Sequence, residues 1–441
     1  MGKYNIPQGY SFVQTFLNTF RLVERPIDVL TEATQKFGNT FSFSVLRGKD
    51  IVITQDPHFI EHVLKKNHRN YFKSKIISEK LGRFLGNGLL SSNGEYWLRQ
   101  RRHIQPGFHK EKVKALYSIV QQVIDEFLAT FPAGNNVNVY PLMNTLAFRI
   151  AIHTLFNVSL PAGVMEELSR FTSEVQAFVV KDIRQPYKSW WHILSGQVRQ
   201  SLEKSEKARV LIRQIIRERK ESGKKYSDLL DMLLEARYED TGQPMDEEQM
   251  VDEIMILVVA GHETTANALA WTLYLLAQHP GELNNLKEIT EGYDTEACVQ
   301  SIPLAAVLKE SMRLYPPAWI IDRVALQDDT FDTFKFPKDT IVTLFLYGLH
   351  RNGAYWDDPN QFKPARFIDE KADKMISEVY FPFGAGPRIC IGGAFAMAEM
   401  VLFLQTFIHR FTIRPTGHVP RLLPLVTLRP DKILLNVEKI S

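Results

Sequence analysis

Apolar residues recur three and four positions apart over long stretches of this chain, the period of a helix that buries one face. The stretches EKVKALYSIVQQVIDEFLATF (111–131) and QVRQSLEKSEKARVLIRQIIRERK (197–220) both carry it. From Tyr96 to about Gln278 the pattern predicts an almost wholly helical run. The chain before it reads differently. FSFSVLRGKDIVIT (41–54) alternates apolar residues about Arg47-Gly48-Lys49-Asp50 and predicts a hairpin. DPHFIEHVLKK (56–66) predicts a helix capped by Asp56. Beyond the helical run come a helix over 303–314, short strands around 318–326 and 341–346, and a loop-rich stretch from 351 to 389. A last helix over about 393–411 and strand-like pieces close the chain. No repeat, low-complexity tract or linker interrupts the pattern. The expected fold is mainly α with small β-sheets. The expected organisation is a single domain over 1–441, with a mixed β/α part over about 1–95 and a helical body over about 96–441.

The most apolar run is 254–278, IMILVVAGHETTANALAWTLYLLAQ. A membrane span needs about 20 mostly apolar residues. His262, Glu263, Thr264 and Thr265 stand in the middle of this one, so it reads as a buried core helix. The N-terminus lacks the basic start and apolar core of a signal peptide, and no transmembrane anchor is expected. Composition adds little: 45% hydrophobic residues suffice for one large core, and a net charge of +3 is too small to imply nucleic-acid binding. Cysteine usage changes the picture. The chain has two, Cys298 and Cys390, which excludes a disulfide framework and fits a reducing, cytoplasmic setting.

Cys390 ends a loop, Phe383-Gly384-Ala385-Gly386-Pro387-Arg388-Ile389-Cys390, followed by Ile391-Gly392 and the last helix. Glycines and a proline this dense make a tight, specific turn. A helix N-terminus favours thiolate, and loop N–H groups can donate to the sulfur. Arg388 stands two residues from the sulfur, within reach of an anionic group on a cofactor. A lone cysteine of this kind is more often structural; the loop around it points the other way.

FGAGPRICIG resembles, without departure, the haem-binding signature of the cytochrome P-450 family. The resemblance implies that Cys390 is the axial thiolate and metal ligand of haem b, that Phe383 packs near the sulfur, that Gly392 belongs to the same cradle, and that Arg388 binds a propionate. It implies a P-450-type domain enclosing haem between the 251–278 helix and the Cys390 loop. Further stretches resemble the family, and they occur along the chain in its own order. Glu310 and Arg313 share a helix face in KESMRLYPP, and Arg366 lies in FKPARF. The resemblance makes the three a salt-bridge network behind the haem. Trp97 and Arg101, spaced i, i+4, would contact a propionate, as would Arg323. Ala260-Gly261-His262-Glu263-Thr264-Thr265 resembles the oxygen-binding signature. Small residues one turn before Thr264 leave room beside its hydroxyl, and that hydroxyl can bond the carbonyl four residues back. The resemblance gives Thr264 and Glu263 the catalytic work of delivering protons to bound O₂, with Glu263 fed from solvent and Thr265 structural.

The activity implied is that of a haem–thiolate monooxygenase inserting one atom of O₂ into an organic substrate. The stretch 86–109 is similar to microsomal-type members, but without their anchor the expectation is a soluble bacterial protein. Little chain follows Gly392, so electrons from NAD(P)H are expected through separate proteins, a ferredoxin or flavodoxin with its reductase. Arg99, Arg101, Arg102, Lys110 and Lys112 form a basic patch that either docks such an acidic partner or is a solvated helix end. A peroxide-driven enzyme of the same fold and a non-catalytic haem sensor or carrier are the rival functions; neither needs Glu263-Thr264. Pocket walls implied by the resemblance include Ile76, Ile77, Leu85, Phe178, Val179, Trp319 and Ile320. Plain core packing is the alternative for each. Together they point to an apolar small-molecule substrate, with Lys181, Arg184 and Trp190-Trp191 near its entrance.

Overall fold

A computed structural model describes residues 4–45, 49–157, 162–184, 188–369 and 373–440. The longer helices are α1 (Phe12–Glu24), α2 (Pro26–Phe37), α3 (Gly94–Ile104), α4 (Tyr117–Ala129), α5 (Val139–Phe156), α6 (Ala162–Arg184), α7 (Gln197–Ser222), α8 (Glu247–Gln278), α9 (Ile302–Leu314) and α10 (Gly393–Arg410). They fall into two compact units, each assembled from separate stretches of chain.

The first unit takes Met1–Ser74, Ala305–Cys390 and Arg421–Asp431. It is built on a six-stranded sheet. The alternating stretch forms the expected hairpin, β1 (Thr40–Val45) against β2 (Lys49–Thr54), with Phe41 opposite Ile53 and Phe43 opposite Ile51. The connecting residues 46–48 lie outside the described residues. β2 then pairs in parallel with Ile341–Leu344, which pairs antiparallel with Ile321–Ala325. Asp56 caps its helix as expected, accepting from the N–H of His58 and Phe59. Two apolar clusters, one around Phe59, Tyr71 and Phe336, the other around Phe41, Trp319 and Phe345, fill this unit.

The second unit takes Lys75–Leu304, Ile391–Pro420 and Lys432–Ser441. Its axis is α8. Asp246 caps it by accepting from Gln249 N at 2.8 Å, and Glu247 and Glu248 in the first turn complement the helix dipole. It ends where His279-Pro280 follows, since the residue before a proline leaves the helical region. α5, apolar nearly all round, buries ten side chains and packs along α8. Among the described residues no helix is long and apolar enough to cross a membrane, so the 254–278 run is the core helix expected.

Three boundaries differ from expectation. The 111–131 stretch is two helices, Lys110–Ala115 and α4. The helical run is interrupted by the strand Gly134–Asn138, which pairs with Leu434–Lys439; its Gly-Asn-Asn opening has no helical period. The loop-rich stretch holds a short helix, Asp373–Val379.

Candidate active site

In the first unit the chain reaches Cys390 through a turn set by glycine. Gly386 has φ +67°, and a Cβ there would sit 1.9 Å from the carbonyl oxygen of Leu64, so only glycine fits. Cys390 N donates to the carbonyl of Phe383 at 2.9 Å, which closes the loop. Cys390 itself is exposed. Two guanidiniums of this unit, Arg323 and Arg388, feel each other's field. Arg323, on Ile321–Ala325, is buried and donates to the carbonyl of Asp322 at 2.7 Å. Burial draws its pKa down to about 10, offset only in part by the Asp322 carboxylate. Burial also lowers Arg388, to about 9, and the like charge of Arg323 adds to the effect.

Deeper in this unit, Glu310 and Arg313 have no exposed surface. Arg313 donates to Glu310 through Nε at 2.7 Å and Nη2 at 2.8 Å, and to the carbonyls of His350, Pro359 and Gln361. Arg366 Nε reaches Glu310 at 3.3 Å and Lys363 N donates to it at 2.8 Å. The three predicted network residues therefore meet, and the main chain around 350–363 completes their hydrogen bonding. His350, wholly buried, is pushed down to about 3 by burial and by the Arg313 and Arg351 charges, so it stays neutral and accepts from Phe381 N at 3.0 Å.

In the second unit, Thr264 Oγ donates to the carbonyl of Ala260 at 2.8 Å, the back-bond expected from the sequence. α8 is buried along most of its length, yet Leu257, Ala260, Gly261 and Thr264 are not. Their i, i+3, i+4, i+7 spacing puts them on one face. A Cβ built on Gly261 would meet nothing within 4 Å. An open face of small residues in mid-helix suits a flat ring lying against it. Glu263 is buried, which corrects the expectation that it is fed directly from solvent. Thr265 is buried too and donates to Glu399 Oε1 at 2.7 Å. Trp97 is buried on α3, while Arg101, one turn on, is partly exposed and lies 3.4 Å from Gln105 Oε1. Gly392 precedes α10, with Phe108 next to it.

The cytochrome P450 family profile matches residues 7–437. The chain belongs to the cytochrome P450 family. This P450 is 30% identical over 367 residues to the cyclooctat-9-en-7-ol 5-monooxygenase of Streptomyces melanosporofaciens, covering 81% of this chain and 79% of that one. It is 30% identical over 417 residues to cytochrome P450 4ae1 of Drosophila melanogaster, covering 88% and 83%. Its fold matches the crystal structure of the cytochrome P450DA haem domain with a TM-score of 0.87 at 21% identity, over 99% of this chain and 98% of that one. Membership makes it an oxidoreductase of the haem–thiolate monooxygenase class.

The residues of this P450 suit the haem that its family implies. Cys390, exposed at the end of its loop, can give a thiolate to the iron of a porphyrin. A buried Arg323 and a half-buried Arg388 that feels its like charge are what carboxylates such as propionates would stabilise.

The expected pocket residues divide. Leu85, Phe178 and Val179 are buried in one cluster with Val259 of α8, and Ile77 packs against it. Trp319 does not join them. It is core of the first unit, packed with Phe41 and Phe345, and its indole Nε1 donates to the carbonyl of Leu425 at 3.0 Å; Ile320 packs beside it. The side chains of Ile76 and Arg184 lie outside the described residues. Glu399 and Asp252 were not singled out from sequence. Glu399 has a signal, nine residues after Cys390 on α10; Asp252 has none, because its partners, Asn87 N and Arg209, lie far from it in the chain.

Proposed function

We propose that this P450 hydroxylates an apolar organic molecule at a haem b whose iron is ligated by Cys390. The carrying observation is the exposed Cys390 at the end of a glycine-shaped loop whose own amide is tied back to Phe383. Haem held by a thiolate supplies reductive activation of O₂. Within this reading Arg323 and Arg388 hold one or both propionates, joined by Trp97 and Arg101 on α3, while Phe383 and Gly392 shape the sulfur's surroundings. Glu310, Arg313 and Arg366 keep the main chain behind the loop in place. Thr264 Oγ turns from the Ala260 carbonyl to hold a proton beside the reacting oxygen, and Ala260 leaves it room. Glu263, being buried, passes protons through a chain of groups rather than from bulk water.

The apolar lining of Leu85, Phe178 and Val179, with Ile77, supports an apolar substrate. A relative named for acting on cyclooctat-9-en-7-ol fits the same class. Electrons come from a separate acidic ferredoxin or flavodoxin with its NAD(P)H-dependent reductase, in the cytoplasm. Arg102, Lys110 and Lys112 are exposed for that docking, whereas Arg99 is engaged by Asp240 at 3.3 Å and stacks over Tyr238.

The test is spectroscopic. The reduced protein with CO should show the absorption band of thiolate-ligated haem, and Cys390→Ala should lose it. Retention of that band by the variant refutes the ligand assignment.

A further inference from the structure

The segment 86–90 links the short helix Gly82–Leu85, which carries Phe84 and Leu85, to the stretch that leads into α3. Its main chain is fastened to α8 by two adjacent carboxylates. Asn87 N donates to Asp252 Oδ2 at 2.7 Å and Leu89 N to Glu253 Oε2 at 2.9 Å. Gln249 Nε2 holds the other Glu253 oxygen at 2.7 Å. The approach is close: a Cβ on Gly86 would lie 2.0 Å from Asp252 Oδ1, and one on Gly88 would lie 2.8 Å from Glu253 Oε2. Asp252 Oδ1 also forms an ion pair with Arg209 Nη1 of α7 at 2.5 Å, and Arg209 Nη2 continues to Glu248 at 3.0 Å. Ser205, also on α7, donates to the carbonyl of Phe84 at 2.5 Å.

Asp252 is thus the point where the 86–90 segment, α7 and α8 meet. Thr264 lies on the same helix about 18 Å further along, at 1.5 Å per residue. A rigid helix therefore carries both the open face at Thr264 and the anchor of the wall bearing Phe84 and Leu85. We propose that Asp252 is a specificity-determining positioning residue: through its bonds to Asn87 N and Arg209 it sets how closely the Phe84–Leu85 wall stands over α8, and so which substrates fit. The inference rests on the haem reading above. Glu253 is the fixed part of the anchor, because it is fully buried and bonded on both oxygens. Asp252 is the adjustable part, since one of its two partners is a side chain on another helix.

The experiment uses purified haem-loaded protein and two azoles that bind haem iron, imidazole and the bulkier 4-phenylimidazole, read by the shift of the haem absorption band. Asp252→Ala should leave the imidazole dissociation constant within about twofold, while that of 4-phenylimidazole moves about tenfold, the weight of one charge-assisted hydrogen bond. Asp252→Asn keeps an acceptor for Asn87 N but loses the ion pair, so its change should be smaller. Arg209→Lys keeps the charge and should stay near wild type. Gly86→Ala, which pushes the segment off Asp252, should imitate Asp252→Ala and decides the matter if that variant fails to fold. Azole constants that move in parallel, or not at all, overturn the proposal. No band shift with imidazole in the unsubstituted protein would instead sink the haem assignment.

Discussion

Glu310 accepts four hydrogen bonds with no exposed surface: two from Arg313, one from Arg366 and one from Lys363 N. Removing one partner of a buried, satisfied pair costs about 3–5 kcal/mol, because the remaining charge is stranded. Glu310→Ala and Arg313→Ala should therefore give little haem-loaded folded protein, measured as haem absorbance per milligram. Arg366 is less enclosed and makes one longer bond to Glu310, so Arg366→Ala should be milder. Normal yield for Glu310→Ala would refute the accounting. At Thr264 the expected effect is on coupling, not on folding. Thr264→Ala removes a hydroxyl that now rests on the Ala260 carbonyl. Haem content and NADPH use should persist, with more hydrogen peroxide and less product per NADPH; Thr264→Ser should restore most of the coupling. A product yield unchanged in Thr264→Ala would remove Thr264 from proton delivery.

Between elements, the contact of α8 with α10 through Thr265 and Glu399 has a pH signature. Burial pushes the Glu399 carboxyl up to about 8, against the lowering pull of the Thr265 hydrogen bond. The unfolded chain releases this proton near 4.5 while the folded protein holds it to about 8. Its contribution to stability is therefore full below the unfolded value and is lost as pH rises through that window, by about 1.4 kcal/mol per unit at most. Glu399→Gln abolishes the titration and keeps an acceptor for Thr265. Its urea midpoint should exceed wild type by a margin that grows from pH 5 to pH 8; a margin constant with pH refutes the buried-acid reading. How much of this was legible in the sequence follows the type of interaction. Period and capping placed α7, α8 and the Asp56 helix, and motif spacing placed Cys390, Thr264 and the Glu310–Arg313 pair. The burial of Glu263 was hidden, since it depends on which face of α8 stays open. Trp319, which packs with Phe41 and Phe345, could be read either way, because an apolar side chain reads alike in a pocket wall and in a core.

For the whole molecule, charge is the quantity to vary. A net +3 spread over the surface steers no partner by itself. The exposed Lys110 and Lys112 do so only if an acidic redox protein docks there. Lys110→Glu with Lys112→Glu should then slow reduction by a ferredoxin severalfold at low salt, and raising the ionic strength should shrink the difference between variant and wild type. Equal rates at low salt would move the docking site elsewhere.

The division of the first unit among three distant stretches of chain has a consequence for biogenesis. On the ribosome, Lys49–Thr54 emerges well before its parallel neighbour Ile341–Leu344, which lies far down the chain. Until then the hairpin has an unpaired edge, a template for association with other nascent chains. The stretch ending at Cys390 appears later still, and Arg421–Asp431 follows it. Neither the sheet nor the thiol loop can mature in step with translation. A prosthetic group held by Cys390 could then be taken up only after the stretch through Arg421–Asp431 has been made, when slower synthesis and a ready supply of porphyrin would set the yield of usable protein.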